Sequence, residues 1–372
     1  MNCKVCNHNN PDDAQFCANC GKRIESDFEA IYGNTPSSAS ASSTTSSSST
    51  SYRVPSGIFA PKQSTWIHFR AIAFVIGIQF VLAFFVASAP SSDDKNPLDN
   101  MMLNLVFMFL MQMCFLGAVL ASGTQRVKLI KRRFYISPKL LLISLAMWAV
   151  AFIAFLSTNV YFGAWLQHIG YKSSELDMNT AAEIIVGIFV IGIIAPICEE
   201  LVFRFGVLEG FRDKGFIKAV LISALAFALM HMNPEQTFYQ FLLGAVCAVA
   251  AYKSNSILPA MIIHSANNLF SFATMGWDGF NNGLETMFNQ GWFVIIAIIL
   301  FVAGIYAILK LGKLCQKYGN PNSKLPPNIH PILSSYQIAR DKTTTITLYC
   351  ITLGICTLFW ILQFATAMGM GI

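Results

Sequence analysis

The chain has 372 residues, 55% of them hydrophobic and only 12% charged, about half the ~25% charge of ordinary soluble domains. With 31 Phe, 15 Met and a mean hydropathy of +0.54, no soluble core could enclose so much apolar surface, so the composition excludes a soluble globular protein and points to a membrane. The formal net charge of +6 falls in loops between apolar runs and does not indicate nucleic-acid binding.

From the amino terminus, Cys3 and Cys6, then Cys17 and Cys20 followed by Gly21, form two Cys-x-x-Cys pairs. Each pair makes a tight turn presenting two thiolates, and a polar link can fold the pairs together, so residues 1–26 read as a zinc ribbon with all four positions of a structural zinc filled. Two disulfides are the competing reading. No cleavable signal peptide precedes the pairs, and so short a segment needs a staple to fold, which favours zinc in a reducing compartment. Residues 27–62 form a linker whose stretch from Asn34 to Ser51 is almost pure Ser, Thr and Ala, a flexible tether that cannot bury enough surface to order itself.

Residues 63–372 alternate long apolar runs with short polar ones, the pattern of an all-α polytopic membrane protein. Runs near twenty residues suit a hydrocarbon core of roughly 30 Å, and nine are expected: Ala71 to Ala89, Met101 to Ala121, Leu140 to Ser157, Glu183 to Phe205, Phe216 to Met232, Thr237 to Tyr252, Ile257 to Thr274, Trp292 to Leu309 and Thr344 to Met370. The even-numbered loops collect fifteen Lys or Arg, among them Arg126, Lys128, Lys131, Arg132 and Arg133. The odd ones hold only Lys95 and Lys172 beside several acids. Cytoplasmic loops accumulate basic residues, so the expected protein is a multi-pass protein of the cell membrane with its amino terminus in the cytoplasm and its carboxyl terminus outside.

Ionisable groups at membrane depth are costly and mark function. They concentrate in three segments: Glu199, Glu200 and Arg204 after Pro196, His231 at the end of the fifth run, and His264 ahead of Asn267 and Asn268. The fourth and fifth segments form a hairpin turning near Asp213 to Gly215. Glu199 and His231 lie about fifteen and sixteen residues from that turn, which places both ~23 Å from it and hence at one level. Glu200 and Arg204, four apart, share a helix face and suit an ion pair, whereas Glu199 points about 100° away. His264 and Asn268 are likewise four apart. A free carboxylate, a histidine at its level and a His/Asn pair make a hydrolytic site with base, orienter and oxyanion donors. Cys198 sits among Pro196, Ile197 and Leu201 and reads as inert. Met113, Met230 and Met261 read as packing.

The ordered set Glu199-Glu200-x-x-x-Arg204, Phe227-x-x-x-His231 and His264-x-x-x-Asn268 resembles the three motifs of the CPBP family, intramembrane proteases similar to the CAAX prenyl endopeptidase and to bacteriocin-processing proteins. The resemblance covers about residues 180–274. It implies an α-helical endopeptidase acting on a membrane-associated peptide or protein, in which Glu199 and His231 activate water, His264 and Asn268 stabilise the oxyanion, and Glu200 and Arg204 support the site. Whether an active-site metal takes part stays open, with Glu199, His231 and His264 as candidate ligands. The zinc ribbon is an addition to that core and is expected to meet a cytoplasmic protein partner. A second reading is a catalytically silent membrane scaffold or bacteriocin-immunity protein binding a peptide in the same polar cavity, and a third is a transporter using Glu199 and His231 as a proton relay.

Overall fold

The computed structural model describes residues 9, 58–88, 100–123, 128–172, 178, 180–274, 277–288, 290–323 and 335–370. The expected zinc ligands Cys3, Cys6, Cys17 and Cys20, and the tether up to residue 57, lie outside them. From residue 58 onward every regular element described is a helix: α1 Pro61–Ser88, α2 Met101–Leu120, α3 Pro138–His168, α4 Ala181–Lys214, α5 Phe216–Met230, α6 Pro234–Ser254, α7 Leu258–Thr274, α8 Asp278–Phe288, α9 Phe293–Lys317 and α10 Ser335–Ala367.

Six of the nine expected segments yield helices long and apolar enough to cross a membrane: α1, α2, α3, α4, α9 and α10. The other three are helices of a different kind. α5 is apolar but only 15 residues long, ~22 Å at 1.5 Å per residue. α6 has 21 residues, opening on Pro-Glu-Gln-Thr, and α7 has 17. Large apolar side chains stand outward on the longer helices, including Phe80, Phe84 and Phe85 of α1, Ile295, Ile298 and Val302 of α9 and Leu358 and Ile361 of α10, as expected where the solvent is hydrocarbon.

Local sequence sets the helix starts. Ser137 accepts a hydrogen bond from the Leu140 amide, and Pro138 occupies the first turn of α3, where its missing N–H costs nothing. Thr180 and Glu183 form a reciprocal capping box at the start of α4. Gly215, at φ +91°, turns α4 into α5, at the place the hairpin arithmetic requires. α9 lies against α3 so closely that a methyl on Gly304 would collide with Ala154.

α4 is the central element. Its stretch 198–211 is buried at every position, and α1, α2, α5, α6 and α7 all pack on parts of it. At its end Glu209 is buried and holds Arg133 at 2.9 Å and Arg212 at 2.8 Å, while the Ile58 amide donates to it at 3.1 Å. Arg133, counted among the basic loop residues, is buried: a carboxylate on the neighbouring helix neutralises it, and its guanidinium also donates to the Ser323 carbonyl. His68 lies within α1, which begins at Pro61 rather than Ala71. It is wholly buried, its ring edge-on to Phe203.

Candidate active site

The backbone of α4 is irregular where the polar residues sit. Ile188–Ile194 and Leu201–Leu208 have π-helical hydrogen bonding, with the α-helical turn Ala195–Glu200 between them. Such π segments gather at functional sites. Pro196 accounts for part of this. The Ala195 amide bonds back to the Val190 carbonyl, so the next amide in that register would serve Ile191, but residue 196 is a proline and has none. The Ile191 carbonyl instead accepts from the side-chain Nδ2 of Asn268 at 2.9 Å. Gly192, beside it, lies close under Leu269, whose terminal methyl a Cβ there would meet at 2.7 Å and have to displace.

Glu200 and Arg204 are fully buried and in charge contact at 2.9 Å across one helical turn, the pair expected from their spacing. Arg204 Nη2 also donates to the Gly244 carbonyl at 3.1 Å, and its guanidinium lies over the Phe227 ring at 4.7 Å. Gly244 makes this approach feasible, because a Cβ there would meet Phe227 at 2.9 Å. Phe227 is a shared wall: its ring stands edge-on to His231 at 4.9 Å and to His264 at 5.3 Å.

Two contacts orient the imidazoles. His264 Nδ1 lies 3.0 Å from Glu200 Oε1, and His231 Nδ1 lies 2.9 Å from the Phe227 carbonyl oxygen. Both partners are acceptors, so each Nδ1 carries the proton and donates it. Each Nε2 then faces Glu199, whose Oε2 stands 4.0 Å from His231 Nε2 and 3.9 Å from His264 Nε2. These gaps are too long for direct hydrogen bonds and suit a bridging water or a reacting group. The other oxygen, Oε1, accepts from Gln112 Nε2 of α2 at 3.1 Å.

Glu199, Glu200, Arg204, His231 and His264 are thus brought together as expected. Asn268, one turn beyond His264 on α7, gives one amide hydrogen to the Ile191 carbonyl. Asn267, noticed in the sequence but given no task, is buried and accepts a short hydrogen bond from the Tyr239 hydroxyl. Gln112 and Tyr239 escaped a search for ionisable groups because neither is charged; a search for any polar residue inside an apolar run would have found Gln112 in Met-Phe-Leu-Met-Gln-Met-Cys. Cys198 is buried. Among the described residues no group of three or more His, Cys, Asp or Glu could hold a metal ion. Donors around a tetrahedral metal stand about 3.4 Å apart, and the Glu199 to histidine separations exceed this, so the residues do not fit an active-site metal as they stand.

Comparison with known proteins follows the same residues. Residues 181–270 match the family described as Type II CAAX prenyl endopeptidase Rce1-like. The chain is 31% identical over 113 residues to the membrane-embedded CAAX protease MroQ of Staphylococcus aureus (strain USA300), a match covering 27% of this chain and 46% of that protein. It is 34% identical over 83 residues to the UPF0177 protein YxdF of Lactococcus lactis subsp. lactis (strain IL1403), covering 22% and 46%. The chain spans about half the length of these curated relatives. No solved structure matches it. Glu199, Glu200, Arg204, His231, His264 and Asn268 all fall inside the residues 181–270 over which the chain is similar to the Rce1-like CAAX protease family.

Proposed function

We propose that this chain is an intramembrane endopeptidase that hydrolyses a peptide bond of a membrane-associated peptide or protein with glutamate- and histidine-activated water. The observation that carries this reading is the convergence of His231 Nε2 and His264 Nε2 on one oxygen of a buried carboxylate, at 4.0 and 3.9 Å. Water held in that gap gives a proton to Glu199 Oε2 as its oxygen attacks the scissile carbonyl, with His231 Nε2 accepting its second hydrogen bond. The tetrahedral oxyanion needs donors. His264 Nε2 supplies one when it carries a proton, with Glu200 holding the ring through Nδ1, and Asn268 supplies the amide hydrogen not used on Ile191. On collapse the C–N bond breaks and the leaving amine takes its proton from Glu199.

The test is cleavage of membrane peptides by detergent-purified, folded variants. Glu199→Gln keeps size and removes the base, so turnover should fall ~10²- to 10⁴-fold, and His264→Ala about 10²-fold or more. If Glu199→Gln and His231→Ala both retain full cleavage, the hydrolytic reading fails. If the parent cleaves nothing while both variants support the same cellular phenotype, the scaffold or immunity reading replaces it.

The basic loops support a cell-membrane placement with the amino terminus inside. A reporter fused after Lys317 should read as cytoplasmic and one after Asp94 as external; swapped results at both would reverse the orientation. The Cys3, Cys6, Cys17 and Cys20 quartet is assigned to one structural zinc, and metal analysis of the parent against Cys17→Ser reads it.

A further inference from the structure

The two oxygens of the Glu199 carboxylate have different neighbours. Oε2 faces the histidines, and Oε1 is held by Gln112 of α2. The buried residues of α2 are Leu105, Gln112, Phe115, Ala118 and Val119. They recur at intervals of three, four and seven, one stripe down the helix, and Gln112 is its polar member. Leucine there would satisfy packing alone.

An amide in this place carries a cost that packing does not explain. Gln112 is 7% exposed, its Nε2 donates to Glu199, and its Oε1 is buried with no protein partner. Turning the amide over would set Oε1 against a carboxylate oxygen, acceptor against acceptor, so the orientation is fixed by chemistry. A glutamine serving stability would have both halves satisfied. This one spends its donor on the carboxylate to which the hydrolytic reading gives the proton.

We infer that Gln112 is a positioning residue for hydrolysis: its amide pins Glu199 Oε1 from the second membrane helix, leaving Oε2 as the oxygen that meets water between His231 and His264. The inference rests on the hydrolytic reading of Glu199. It also reaches outside residues 181–270 and makes α2 a functional part of the site. Without the amide, Glu199 is free to rotate about its terminal bond, and the bound substrate less often meets a correctly placed oxygen. Binding of substrate itself is untouched.

The test uses the full chain in detergent and a quenched-fluorescent, lipid-anchored peptide that the parent cleaves, with Glu199→Gln run beside it. Gln112→Met keeps length and flexibility but removes the donor. Loss of one hydrogen bond to a charged group should lower kcat ~10- to 100-fold and leave KM within about twofold. A second readout needs no turnover: the infrared carboxylate band assigned to Glu199, by difference between the parent and Glu199→Gln, should shift in Gln112→Met. An unchanged kcat, an effect confined to KM, or an unmoved band overturns the inference. If instead Glu199→Gln itself cleaves as the parent does, the failure belongs to the hydrolytic reading, and the band alone then decides whether Gln112 holds Glu199.

Discussion

Glu209 and Asp341 show how differently two carboxylates of one chain stabilise it. Side-chain exposure is 2% for Glu209 and 3% for its partner Arg133, against 25% for Asp341 and 32% for Lys62. Removing one member of a buried pair strands the other charge, at ~3–5 kcal/mol, while half-exposed pairs contribute about 0–1 kcal/mol. Glu209→Ala strands both Arg133 and Arg212 and releases the Ile58 amide, so thermal unfolding in detergent should show a loss of several degrees and a lower folded yield. Asp341→Asn should leave the unfolding midpoint nearly unchanged. Spacing made the Glu200–Arg204 pair legible, because four residues fix a shared face. It could not show that Arg133, in a basic loop, meets a carboxylate 76 positions later. Nor did it single out Gln112: an uncharged amide adds little to a hydropathy profile, and its meaning appears only when α2 is packed against Glu199.

Among the elements, the helical runs were readable because hydrocarbon demands them, and their ends were less so. α3 runs to His168 where the apolar pattern suggested Ser157, and α10 begins at Ser335 rather than Thr344; helices continue past the hydrocarbon while capping and packing still support them. α8 forms in a stretch read as an external loop. The fifth, sixth and seventh runs are helices but do not meet the length and composition of a crossing. The π segments of α4 were invisible to a reading based on a 3.6-residue period. Pro196 was their one available signal, and its effect depends on Asn268, 72 residues later, standing where the lost amide would have been.

For the whole molecule, the arrangement of polar residues was predictable in outline because one constraint governs it: buried charges must meet each other. Hairpin arithmetic brought Glu199 and His231 to one level, and the helices deliver them there. The length of α5 has a further effect on the surroundings. Ile217, Leu221 and Leu225, each four residues from the next, are exposed along it, so lipid meets a helix of ~22 Å that ends next to His231, against a hydrocarbon thickness of ~30 Å. A bilayer that covers this face by thinning would do so by several ångströms, at a fraction of a kcal/mol per ångström. In vesicles of increasing acyl-chain length, cleavage per folded molecule should therefore decline severalfold from the thinnest to the thickest membrane, and a flat response would show that the bilayer does not feel α5. A transmembrane substrate drifting into the thinned zone would find its outermost turns no longer covered by acyl chains. Wetted and frayed, those turns would expose backbone carbonyls at the depth of His231, so membrane thinning would do part of the unwinding that the proposed hydrolysis requires.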